Sequence, residues 1–332
     1  MKTTPPPLEI LLTVDVEFSI NGTFTTPDRS VPLGEEHVLC RDRRGREQGL
    51  GVLLESLERY GVVANFFCET LQCAWFGEEP MGRIVQRLHR AGQALHLHLH
   101  PCWETFRNPE WRQWLTSHRP NDNGHGRTQD ELTRWMQEGV TQFARWGITA
   151  PLAVRCGGLR VDRQVYRAMA GQGLKVASHI GIGIFMPREP ELQLAGGIHH
   201  IDGVLELPVL SYRTLLPRPR QPWRSLTLTG TSHGELRSLL EQAYQARLSP
   251  VVILIHPRDL AGPGPEYAPH RIHQSRLRQL CRLLQRHPDR FQACRIQDRA
   301  ERWQQLAPRL APPLSPPLLS QARRVVENLI NR

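Results

Sequence analysis

Residues 8–16 (Leu-Glu-Ile-Leu-Leu-Thr-Val-Asp-Val) form an apolar run of strand length that ends in acidic residues, Asp15 and Glu17. Such runs fit strands buried on both faces, as in a parallel sheet. Comparable short runs return at 62–68, 95–100, 151–154, 174–178, 203–209, 250–255 and 291–296. Between them, apolar residues at helical spacing predict helices over 51–60, 81–90, 130–146, 162–170, 232–248 and 271–286, with Gly61 and Gly92 as C-terminal stops. The alternation predicts an α/β fold, and about seven parallel strands suit a distorted (β/α) barrel. Residues 19–48 and 101–127 show no clear period and are expected to be long loops.

One strand carries unusual side chains. Residues 95–101 read Leu-His-Leu-His-Leu-His-Pro. Alternation along a strand puts His96, His98 and His100 on one face and the leucines on the other, and Pro101 ends the ladder. Three other polar groups stand at the carboxyl ends of apolar strands: the Asp15/Glu17 pair, Arg155 and His256. In barrels and open α/β sheets that end holds the active site. One carboxylate with two imidazoles is the ligand set of a catalytic metal, and a second carboxylate can act as general base, oriented by an arginine. A histidine across the site can protonate a departing amine. This inventory describes metal-assisted hydrolysis of an amide. Spacing leaves the imidazole ligands open: His96 and His100 stand four apart, and Cys102 stands four after His98.

Taken in order, these segments resemble the polysaccharide deacetylase (NodB-homology, carbohydrate esterase family four) superfamily. The matching stretches are Leu12-Thr-Val-Asp-Val-Glu-Phe18, Ala64-Asn-Phe-Phe67, Leu97-His-Leu-His-Pro101-Cys-Trp103, Val154-Arg-Cys-Gly-Gly-Leu159, Leu205-Glu-Leu-Pro-Val209 and Ile253-Leu-Ile-His-Pro257. The resemblance implies a distorted barrel, a divalent metal (most often zinc) and N-deacetylation of an acetamido sugar or its glycoconjugate. It implies Asp15 as catalytic base, Arg155 as its partner and His256 as general acid. Glu17, His98 and His100 become the metal ligands, the last two by alignment with a subgroup that reads Leu-His-Leu-His-Pro-x-Trp. A catalytically silent sugar-binding protein on the same fold is the alternative, and intact Asp15, Arg155 and His256 speak against it. Tryptophans 103, 111, 114, 135 and 146 gather around the second loop and are expected mainly to anchor it, with some available to stack on sugar rings.

Charge and composition add less. The net charge of +10 comes from 40 Arg and only two Lys, and residues 270–332 hold 13 Arg against four acidic groups. No base-reading motif accompanies them, so specific nucleic-acid binding is not expected. After a barrel over residues 1–305, residues 306–332 form a Pro-rich linker and a short basic helix. That tail either contacts an anionic membrane surface or a partner, or packs on its own domain. The start of the chain lacks a charged-then-apolar signal pattern, and the seven cysteines form no CxxC pair, so a cytoplasmic location is expected.

Overall fold

The computed structural model describes residues 6–216, 222–264 and 266–330, without the side chains of residues 329 and 330. Eight strands carry the main sheet up to the closing edge: β1 (Leu8–Val16), β2 (Asn65–Glu69), β3 (Ala94–Leu99), β4 (Ala153–Cys156), β5 (Val176–Ala177), β6 (Gly197–Ile201), β7 (Val204–Glu206) and, later in the chain, β10 (Val251–Ile255). A separate ribbon, β8 (Ser211–Arg213) with β9 (Trp223–Ser225), stands beside them, and β11 (Phe291–Ala293) and β12 (Arg309–Leu310) follow. The order is β10-β1-β2-β3-β4-β5-β7-β6-β12, with β11 on β1. Strands from β10 through β7 pair in parallel, whereas β6 and β12 are antiparallel. The curl is completed by short bridges: Val209 pairs with Val252 and Thr227 with Leu254. This is the expected distorted barrel.

Alternation sorts the side chains into two layers. Leu11, Phe67, Ala153, Val176, Leu205 and Val252 belong to one apolar cluster, which fills the inside of the curl. Ile10, Leu12, Phe66, Leu97, Val154 and Ile253, one residue out of phase, belong to the larger cluster under the helices. Both faces of the strands are therefore buried, which explains their nearly unbroken apolar character. Along β1 the inward positions run Glu9, Leu11, Thr13, Asp15, so the apolar filling gives way to polar groups at the carboxyl end.

Three expectations need correcting. The stretch 101–127 is not unstructured, because Pro101–Arg107 forms 3-10 turns and Trp111–Ser117 a helix that buries Trp111 and Leu115. The first loop contains a one-turn helix, Glu36–Leu39, too short for a period to show. The strand read over 203–209 is half of a hairpin: β6 and β7 pair around Asp202-Gly203, both at positive φ (46° and 83°). Asp-Gly is a hairpin signal in its own right.

The C-terminal helix Leu318–Ile330 packs on the barrel. Arg324 and Gln321 are buried, Arg324 Nε lies 3.0 Å from Oε1 of the fully buried Glu235, and Gln321 Oε1 accepts from Thr214 Oγ1 and Leu215 N–H. Arg324 is thus withdrawn from any membrane surface, and the Leu329 and Ile330 side chains lie outside the described residues. Among the described residues no helix is long and apolar enough to cross a membrane.

Removing one partner of a buried ion pair strands the other charge. Arg324→Ala is expected to lower stability by about 3 kcal/mol in chemical denaturation. Arg323→Ala, whose side chain is 75% exposed, should change it by less than about 1 kcal/mol.

Candidate active site

Every polar group singled out at a strand end lies at one mouth of the barrel. Asp15 is the penultimate residue of β1 and Glu17 follows its end; His98 is on β3 and His100 just beyond it. Arg155 is on β4, and His256 follows β10 directly. Residues two apart on a strand share a face, so each element delivers its pair to the same side.

Arg155 is completely buried. Its Nη1 lies 2.7 Å from Asp15 Oδ1, Nη2 donates to Thr13 Oγ1 and Ser178 Oγ, and Nε donates to the Ser178 carbonyl. The guanidinium also lies over the Phe67 ring, 4.3 Å from its centroid. Asp15 therefore has one oxygen committed. The other, Oδ2, stands 3.9 Å from both His98 Nε2 and His256 Nε2.

Glu17 Oε2 is 2.8 Å from His98 Nε2 and 2.6 Å from His100 Nε2. The far nitrogens fix the tautomers. His98 Nδ1 is 2.9 Å from the Arg155 carbonyl, which can only accept, so Nδ1 carries the proton. His100 Nδ1 donates to Asp122 Oδ2 at 2.7 Å in the same way. When His100 is charged its Nε2 donates to Glu17 Oε2; in the neutral rings both Nε2 atoms present lone pairs toward that oxygen. Three lone-pair donors converging within 4.8 Å of one another suit a cation between them. The residues thus fit a divalent metal, with Asp122 and the Arg155 carbonyl as outer partners that orient the imidazoles. Burial resists ionisation of Glu17, yet His100 and His98 hold it well below the usual carboxylate range. Burial likewise opposes charge on His100, and Glu17 and Asp122 outweigh it, raising its pKa well above the usual imidazole value.

His96 does not join. It sits one step deeper on the same face, with Nε2 3.3 Å from Asn65 Oδ1. Burial, with Arg155 adding to it, pushes its pKa down to about 3, so the ring is neutral. Cys102 stands near His100 and Asp122, but burial raises its thiol to about 12. Gly157, in the Arg-Cys-Gly-Gly stretch, is required by the site: a Cβ there would fall 2.1 Å from His100 Cε1.

His256 faces Asp15 from the other side, with Nδ1 3.6 Å from Asp259 Oδ2. Burial opposes its protonation, but Asp259, Asp15 and Glu17 raise its pKa to about 9. Three participants carried no signal in the chain. Asp122 lies in an aperiodic loop. His37, from the one-turn helix, lines a cleft of about 10 Å³ with Asp15, Glu17 and His256, room for roughly one water. Glu69, opposite His98 in the β2–β3 register, is fully buried, and burial raises its carboxyl to about 7 against the pull of His100 and His98. Of the tryptophans, 103 and 111 are buried within the second loop; Trp135 is buried on the helix Gln129–Arg145 and Trp146, at its end, packs against Gly82 and donates to the Glu78 carbonyl, and Trp114 is half-buried and stacks on His118.

No protein-family model matches the sequence. No curated protein matches it either. Solved structures do. A Mycobacterium smegmatis protein assigned to the polysaccharide deacetylases superposes with a TM-score of 0.56 at 15% identity, covering 94% of this chain and 96% of its own. A family 4 carbohydrate esterase from Streptomyces lividans, in complex with acetate, gives 0.41 at 12% identity over 93% and 100%. A 4-alpha-glucanotransferase from Thermococcus litoralis gives 0.48 at 10% identity over 91% and 41%. At these identities the likeness speaks to the fold alone, and the superposition on the Mycobacterium smegmatis protein carries it.

Two substitutions away from the ligand atoms test the cation site. Asp122→Asn should weaken divalent-metal binding about 10- to 100-fold by calorimetric titration. Gly157→Ala should weaken it as well, by displacing the His100 ring.

Proposed function

We propose that the chain is a metal-dependent amide hydrolase that removes the acetyl group from an acetamido sugar or its glycoconjugate. Glu17, His98 and His100 would hold the metal, with zinc the best match to two imidazoles and a carboxylate. A metal so held lowers the pKa of water and polarises a carbonyl. Asp15 Oδ2 takes the proton from the attacking water, while Arg155 keeps the carboxylate aimed by holding Oδ1. His256, protonated at neutral pH and 36% exposed, donates to the departing amine. His37 offers a further imidazole on the wall of the same cleft.

The observation that carries this reading is Asp15 Oδ2, 3.9 Å from His98 Nε2 on one side and 3.9 Å from His256 Nε2 on the other. A base and an acid flanking one reacting centre are what amide hydrolysis needs, and a protein that only bound sugar would have no use for the pair. The fold shared with the deacetylases is consistent with it, as is a cytoplasmic setting for seven free cysteines.

Release of acetate from N-acetylated oligosaccharides, with and without added zinc, is the direct assay. Asp15→Asn should lower kcat by at least about 100-fold while the protein still binds metal. Near-normal turnover would remove Asp15 as base. The alkaline limb of the rate profile should follow His256 near pH 9. Asp259→Asn withdraws a carboxylate that favours the charged ring, so that limb should move down by about one pH unit or more.

A further inference from the structure

The opposite mouth of the barrel holds a second, larger cavity of about 500 Å³. Glu9 and Asp15 are both inward residues of β1, six positions apart, so about 20 Å separates this cavity from the acid–base pair. Its lining joins an apolar floor, including Pro7, Ile198 and Trp303, to four arginines from three stretches of chain: Arg247, the neighbouring Arg299 and Arg302, and Arg309. The one carboxylate among them, Glu9, is already satisfied. It pairs with Arg302 and with Arg299 Nε at 2.9 Å, and accepts from Trp303 Nε1 at 3.0 Å and Ser249 Oγ at 3.2 Å. With four guanidiniums and one carboxylate the lining is net positive, and Arg247 and Arg309 are not paired with Glu9.

Two of the arginines meet at the end of the helix His233–Gln245. Arg309 Nη2 donates to the Ala246 carbonyl at 2.8 Å, and Arg247 is the next residue. Arg247 has a φ of 54°, a left-handed position where glycine is at ease and an arginine is strained. A large exposed cation is thus held at the cavity rim against local backbone preference, a place where strain points to use.

The geometry points to a binding site for a small organic anion, a phosphomonoester with an apolar or aromatic body, at the N-terminal mouth of the barrel. Arginine forks match phosphate oxygens in pairs, the volume suits a metabolite-sized molecule, and the apolar floor suits its body. The site is independent of the hydrolytic reading, since it shares no residue with it.

Phenyl phosphate is a minimal probe, with benzyl alcohol and inorganic phosphate as controls, measured by thermal shift and calorimetry on the full chain. Phenyl phosphate should bind saturably and raise Tm, benzyl alcohol should not, and inorganic phosphate should bind more weakly. Arg247→Gly relieves the left-handed strain, so it should raise Tm of the ligand-free protein while weakening phenyl phosphate at least tenfold. Asp15→Asn should leave binding unchanged. Equal binding by the Arg247→Gly protein, loss in Asp15→Asn, or no saturable response to phenyl phosphate would each overturn the assignment. Inorganic phosphate binding as tightly as phenyl phosphate would overturn the role of the apolar floor.

Discussion

A single buried guanidinium organises the polar end of this barrel. Arg155 has no exposed surface and reaches groups on β1 and on the segment after β5 while lying over a ring of β2. A charge so deep is tolerated because each of its three nitrogens donates, together to a carboxylate, two hydroxyls and a carbonyl. The same contacts position Asp15. One oxygen is held, and the other is left facing the space between His98 and His256. The backbone of Arg155 contributes again, since its carbonyl accepts from His98 Nδ1 and so turns Nε2 toward Glu17. One residue thereby couples Asp15 to the Glu17–His98 contact.

The interior of the barrel separates two chemistries along one axis. Apolar side chains from β1, β2, β4, β5, β7 and β10 fill the middle and exclude water. Above them lie Asp15, Arg155 and the imidazoles; below them Glu9 sits among arginines, with Trp303 closing the floor. This apolar middle layer separates the two charged ends.

Much of this is legible in the chain itself. Apolar runs marked the parallel strands because both faces are buried, and the period of two grouped His98 with His100 and Asp15 with Glu17. The hairpin at Asp202-Gly203 was equally visible in principle, but the adjoining Gly197–Ile201 stretch carries two histidines that mask its strand character. The helix Trp111–Ser117 is short, and its buried positions are only Trp111 and Leu115, too few to set a period. The basic tail was ambiguous because charge alone does not tell an exposed arginine from one paired with a buried carboxylate, as Arg324 is with Glu235.

Local order in the chain sufficed for the strands, for the faces their side chains share, and for the set of residues able to do acid–base and metal chemistry at one end. Selection within that set needed three dimensions. His96 and His98 are equivalent in a strand pattern, and depth along the barrel alone sends one to Asn65 and the other to Glu17. Asp122 and His37 arrive from loops whose paths depend on packing across the fold, and a tautomer depends on what the far nitrogen meets. Periodicity is a property of neighbours in sequence, whereas ligand sets and proton positions are properties of neighbours in space.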